Sequence, residues 1–125
     1  MSDYNKYSID LEVKFKPLEI IDISTLIENC TKKWQNLSLC EVNDSVVRLA
    51  VIEGEFHWHK HEKEDEFFFV IEGNLLIDLE DKTIKLKPNQ GFTVPRSILH
   101  RTRAQSRTSV LLVEKATIKP TGDQK

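Results

Sequence analysis

The chain has 125 residues and a mass of 14.5 kDa, with eighteen Lys and Arg against twenty Asp and Glu for a formal charge of −2. That balance excludes a phosphate-driven nucleic-acid binder, which carries a clear positive excess. A chain of this length buries about two thirds of its unfolded surface, enough for one core without staples. The longest uninterrupted apolar run, 67–71, is too short to cross a bilayer, and the polar first ten residues lack the apolar stretch of a secretory signal. The expectation is one cytoplasmic domain with no membrane or nucleic-acid partner. Cys30 and Cys40, with no CxxC motif between them, read as reduced structural thiols.

In chain order, residues 1–14 show no clear period, and 18–22 reads as a short strand. Asp22 or Ser24 then caps a brief helix through Leu26, Ile27 and Cys30. Residues 1–36 are therefore expected as an N-terminal extension of a short strand and a helix. From Leu37 the pattern is strands: 37–42, 45–53, 55–60, 66–72, 75–80, 83–87, 92–95, 99–103 and 108–114. Turn residues separate them at Asn43-Asp44, Gly54, Gly73-Asn74, Asp81-Lys82 and Pro88 to Gly91. Many short strands with regular turn signals mean an all-β sandwich or small barrel over 37–114. The polar 115–125, with Pro120 and Gly122, reads as a flexible C-terminal tail. Phe67, Phe68, Phe69, Val70 and Ile71 are apolar on both faces, so their strand is expected to be covered twice, by a second sheet and by a partner subunit in a homodimer.

Three of the four histidines lie in Phe56-His57-Trp58-His59-Lys60-His61-Glu62. On a regular strand their imidazoles share one face while Phe56 and Trp58 take the other. Imidazoles repeated on one face suit a transition metal better than a packed core. Glu66 opens an apolar strand after a polar loop, and a charge there needs a partner. With Glu66 inward, Phe68 and Val70 point in while Phe67, Phe69 and Ile71 point out. His100 arrives late, between Leu99 and Arg101. Arg48 sits in an otherwise apolar strand; it either faces water, which needs no buried partner, or meets an anion inside. The basic 96–125 and the acidic 53–66 are expected as solvated faces, with pairing across the surface as the alternative.

These residues resemble the cupin family. His59-Lys60-His61, four residues, Glu66, six residues and Gly73 follow the family's first motif; Pro95-Arg96-Ser97-Ile98-Leu99-His100 follows its second. The sequence departs from the pattern at Gly54, one position short, at Gly91, only three intervening residues before Pro95, at Ser97, which replaces a glycine, and at Ala104, where the family has Asn. Serine at a turn position needing φ > 0 is expected to alter that turn. The resemblance covers about 45–114. It implies a double-stranded β-helix (jelly-roll) barrel with His59, His61, Glu66 and His100 as ligands of one divalent transition metal: Fe, Mn, Ni, Co, Cu or Zn. His57 is left as a wall or supporting residue, with Arg48 and Phe68 as further pocket candidates; the register His57-x-His59 fits the motif less well. The implied function is a metal-dependent enzyme acting on a small organic molecule, of dioxygenase or isomerase/epimerase type. The alternatives are a non-catalytic ligand-binding or sensing cupin with a structural metal, and a barrel serving as a dimer scaffold.

Overall fold

The computed structural model describes residues 7–123; the outermost parts of the two terminal segments, 1–6 and 124–125, lie outside the described residues. The elements are β1 (Ser8–Asp10), α1 (Ile23–Asn29), β2 (Trp34–Val42), β3 (Ser45–Glu55), β4 (Glu66–Glu72), β5 (Leu75–Leu79), β6 (Thr83–Leu86), β7 (Gly91–Val94) and β8 (His100–Lys115). The β-branched and aromatic runs have become strands, as the all-β reading requires.

β8 organises the architecture. Its sixteen residues pair antiparallel with β3, from Glu55↔Arg103 to Ser45↔Lys115. On its other side the first residues pair with β5, Leu79↔His100 to Leu76↔Arg103, and the last with β4, Glu72↔Ser109 to Glu66↔Glu114. The neighbour changes where the register slips between Ile52↔Thr108 and Gly54↔Ala104. Gln105, Ser106 and Arg107 stand there opposite the single residue Glu53, and such a bulge bends a strand. The sheet thus branches at β8: the hydrogen-bonded order runs β1-β2-β3-β8-β4-β7, and β5 with β6 joins the first residues of β8. The sequence reading ended one strand at 103 and began another at 108. The polar Gln105-Ser106-Arg107 looks like a turn but is carried as a bulge. Arg107 uses the position to donate to the carbonyls of Ile27 (2.8 Å) and Cys30 (2.9 Å), tying the end of α1 to β8.

The main core has Trp34, Ile52, Phe68, Val70, Ile77 and Val110 among its members. Along β4, Glu66, Phe68 and Val70 are buried and Phe67 is 37% exposed, as strand parity demands. A second cluster lies on the outer face: Leu39, Leu49 and Val51 pack with Ile71 and Leu111 under Phe15, Leu26 and Ile27 of the N-terminal extension. Part of the cover assigned to a partner subunit is supplied by this chain itself. Asp22 caps α1, accepting from the Thr25 N–H at 3.3 Å. The strand expected at 18–22 does not form. Leu18, following Pro17, sits at φ 75° and is fully exposed, and the extension's strand is instead Ser8–Asp10, parallel to β2. Three residues of weak period become a strand because the edge of β2 supplies their hydrogen bonds. Both cysteines are free thiols, Cys30 buried. Between the two stretches, Arg101 meets Glu55 and Arg96 meets Asp65, each at 3.3 Å on the surface; outside the acidic stretch, buried Asp78 accepts from Arg101 Nε (2.8 Å), Arg103 Nε (2.6 Å) and Thr83 Oγ1 (2.6 Å). Those contacts, Arg103 first, hold its carboxyl well below the usual range.

Gly73, between β4 and β5, has φ +83°, and a Cβ there would lie 2.4 Å from Thr108 Oγ1 and 2.8 Å from the Arg107 carbonyl. Gly73→Ala therefore meets both a left-handed backbone cost of about 1–2 kcal/mol and a clash with the β8 bulge. Urea denaturation should show a stability loss at least that large; an unchanged midpoint would contradict the packing described.

Candidate metal centre

The histidine segment is not a regular strand. β3 ends at Glu55, residues 56–58 are irregular, and His59 makes an isolated antiparallel bridge with His100, each N–H donating to the other's carbonyl at 2.9 Å. Strict alternation fails accordingly. Phe56, expected outward, is 6% exposed and stacks on Trp34 with ring centroids 5.4 Å apart. Trp58 does face out, with the Arg101 guanidinium 5.3 Å from its ring centroid. His59 and His61 still converge with His100: ring centroids lie 5.0 Å apart for His59–His61 and 4.4 Å for His59–His100.

Backbone carbonyls orient two of these rings. His59 Nδ1 contacts the His57 carbonyl at 3.0 Å, and His100 Nδ1 that of Ile98 at 2.9 Å. A proton held on Nδ1 leaves the Nε2 lone pair free for a ligand. Glu66, first residue of β4, brings Oε1 to 3.3 Å from His100 Nε2 and 3.5 Å from His61 Nε2. One nitrogen or oxygen from each of His59, His61, Glu66 and His100 lies within 4.8 Å of the others. In the turn that leads to His100, Ser97 takes the left-handed φ of 70° itself. The cost is offset by the Ser97 N–H donating to the His61 carbonyl at 2.7 Å and by its hydroxyl contacting Glu62 Oε1 at 3.1 Å.

The donor set fits a metal ion. His61 is 2% exposed, yet neither ring nitrogen makes a well-formed hydrogen bond among the described residues. Buried polar atoms are nearly always satisfied, and a cation amid three imidazoles and a carboxylate satisfies this one. Burial, then the charge of His100, pushes His59 down to about 4, so its ring is neutral near pH 7. Burial opposes ionisation of Glu66, but contacts from His100 and His61 outweigh it and hold the carboxylate charged. A neutral imidazole and an ionised carboxylate are the forms that bind metal.

Residues 45–114 match the Cupin domain family (Cupin_2). The chain belongs to that family. A Bacillus subtilis (strain 168) protein, YdbB, is 51% identical over 84 residues, 66% of this chain and 74% of that protein. Polyketide synthase CurC of Streptomyces cyaneus is 40% identical over 45 residues, 36% of this chain and 29% of that protein. Among solved structures, a cupin-2 domain containing protein from Shewanella frigidimarina superposes with TM-score 0.74 at 29% identity, over 77% of this chain and 94% of that one. The double-stranded β-helix expectation is thereby met.

In this cupin, Arg48 does not face water. It is 3% exposed, and its Nε lies 3.1 Å from Glu114 Oε2. Glu114 is register partner to Glu66, so Arg48, Glu114 and Glu66 form a buried chain behind the histidines. Burial and the nearby Glu66 raise the Glu114 carboxyl well above the usual range, against the pull of Arg48. Sequence reasoning missed Glu114, although it continues the inward parity of Val110 and Leu112. Phe68 lines the cavity beside His59 and Glu66. His57 supports the cluster through its carbonyl, while its ring reaches the Thr121 carbonyl at 2.6 Å. Residues 117–123 pack against the histidine segment. Ile118 is buried, and Pro120 joins the cavity wall. Gly122, at φ +95°, lies so close to His59 that a Cβ would stand 2.5 Å from His59 Cβ, and Asp123 accepts from the Glu62 N–H at 2.7 Å.

A free histidine titrates near 6.5, so between 6.5 and about 4 the unfolded metal-free chain binds more protons at His59 than the folded one. Stability is full above the unfolded value and is lost as pH falls toward 4, by about 3 kcal/mol from this group. Urea denaturation of metal-free protein at pH 7 and pH 4.5 should show that loss, reduced in His59→Gln. Equal loss in both proteins would contradict the assignment.

Proposed function

We propose that this cupin is a metal-dependent enzyme acting on a small organic molecule, of dioxygenase or isomerase/epimerase type. One observation carries the reading: the convergence of His59, His61, Glu66 and His100, with a buried His61 ring that makes no well-formed hydrogen bond among the described residues, beside a cavity that His59 and Glu66 help to line. Bound there, a divalent ion such as Fe, Mn, Ni, Co, Cu or Zn supplies a Lewis acid able to polarise a substrate oxygen or activate water or dioxygen. The chain's own groups do the rest. The carbonyls of His57 and Ile98 fix the rings of His59 and His100, and Glu114 with Arg48 backs Glu66 away from solvent. Apolar walls that include Phe68 limit water beside the cluster. The match to a protein named Polyketide synthase CurC supports an organic, carbon-rich substrate.

A non-catalytic ligand-binding or sensing cupin with a structural metal is the second reading. The packing of Pro120, Thr121 and Gly122 against the cavity and the histidines favours it. The proposed setting is cytoplasmic: among the described residues no helix is long and apolar enough to cross a membrane, and both thiols are free. The proposed assembly is a homodimer through Phe67 and Val113, neighbours across β4 and β8 that are 37% and 39% exposed.

Elemental analysis of protein purified without added metal should find about one divalent ion per chain. His61→Ala should lose it, while His57→Ala, which keeps the supporting carbonyl, should retain most of it. No ion in the wild type, with no thermal stabilisation by added Mn, Fe, Ni or Zn, would reject the metal reading. Light scattering should give twice the chain mass, and Phe67→Lys should give the monomer; a monomeric wild type would remove the dimer.

A further inference from the structure

Two of the three clustered imidazoles have Nδ1 taken up by backbone, His59 by the His57 carbonyl and His100 by that of Ile98. His61 differs. Its Nε2 lies 3.5 Å from Glu66 Oε1, and its Nδ1 is buried with no well-formed hydrogen bond among the described residues. A histidine that binds a metal through one nitrogen needs an acceptor for the N–H of the other, and losing that acceptor lowers metal affinity about 10–100-fold. Carboxylates stand beside this ring: one oxygen each of Glu64 and Asp123 and one ring nitrogen of His61 lie within 4.8 Å of one another.

Asp123 is fixed there by its own contacts. Its N–H donates to the Lys60 carbonyl at 3.1 Å and its Oδ2 accepts from the Glu62 N–H at 2.7 Å, so it clamps the chain on both sides of His61. The same C-terminal segment steadies Glu64, whose Oε2 accepts from Thr117 Oγ1 at 3.1 Å. Thr117 and Asp123 both lie beyond residues 45–114, which match the family.

We infer that the C-terminal segment belongs to the metal centre: Asp123, with Glu64 beside it, is the acceptor that keeps the His61 proton on Nδ1 and so directs Nε2 toward the ion. The inference rests on the metal reading of the proposed function and deepens it by adding two positioning residues. A carboxylate behind an imidazole fixes its tautomer and ring orientation and makes the ligating nitrogen more basic. A small ring rotation or one bridging water closes the remaining distance.

Co(II) titration of the full-length protein, followed by visible absorption and by release to excess EDTA, tests the metal side. Asp123→Asn keeps an oxygen for the Glu62 N–H but removes the charge. It should still bind one Co(II) with affinity lowered several-fold, and Glu64→Gln/Asp123→Asn should lower it at least tenfold. Asp123→Glu should restore most of the affinity, and the urea midpoint of the metal-free variants should match the wild type. Nitrogen NMR of metal-free protein tests the contact without the ion: the His61 proton should sit on Nδ1 in the wild type and be shared between both nitrogens in the double variant. No Co(II) binding with the Nδ1 proton in place would reject the metal reading alone. A double variant within twofold of wild-type affinity, an affinity loss accompanied by an equal loss of metal-free stability, or a wild-type proton on Nε2 would overturn the inference. Two Co(II) per chain in the wild type and one in the double variant would make His61, Glu64 and Asp123 a cation site in their own right and overturn it as well.

Discussion

Desolvation of the histidine cluster is the constraint on which the rest of the molecule depends. Four polar side chains converge where water is nearly absent, and burial alone disfavours every charged form among them. The fold answers with backbone. Carbonyls of His57 and Ile98 take up the Nδ1 positions of His59 and His100, and the paired N–H groups of His59 and His100 lock the two ligand-bearing segments together. What backbone does not satisfy, the His61 ring and the Glu66 carboxylate, is left facing a common point. A cation held there would turn a costly arrangement into a stable one and so link metal binding to folding stability.

Around that centre the charged groups are arranged in depth. Arg48 and Glu114 are both buried and would be expensive alone; together they form a contiguous chain with Glu66. The β8 bulge is what permits this. By exchanging β5 for β4 along one side of a single strand, it brings His100 at one end and Glu114 at the other to the same interior. The C-terminal segment completes the enclosure through Thr121, Gly122 and Asp123, so the mouth of the barrel is shaped by residues that carry no motif.

Most of the strand pattern was legible because apolar alternation and turn residues are local signals. The inward parity of Glu66, Phe68 and Val70 followed from strand geometry, and the juxtaposition of His59, His61, Glu66 and His100 from the family spacing. Other features depended on tertiary context. Phe56 turns inward because residues 56–58 leave the strand, which no period announces. The Ser8–Asp10 strand exists only because β2 offers an edge. Ser97 adopts a left-handed φ because two hydrogen bonds hold it there. Arg48 and Glu114 carried parity signals, but a lone charge in an apolar strand reads as easily outward as inward until its partner is placed. Trp34 was missed because β2 begins three residues before its apolar alternation becomes evident.

The most direct test of the account is the position of the ion itself. Crystals grown with Mn and measured at its absorption edge should give one anomalous peak per chain, bounded by ring nitrogens of His59, His61 and His100 and an oxygen of Glu66, at about 2.0–2.3 Å from each. A peak held instead by Glu64 and Asp123, which form a second cluster with His61 whose ligand atoms lie within 4.8 Å of one another, or none at full Mn loading, would contradict it.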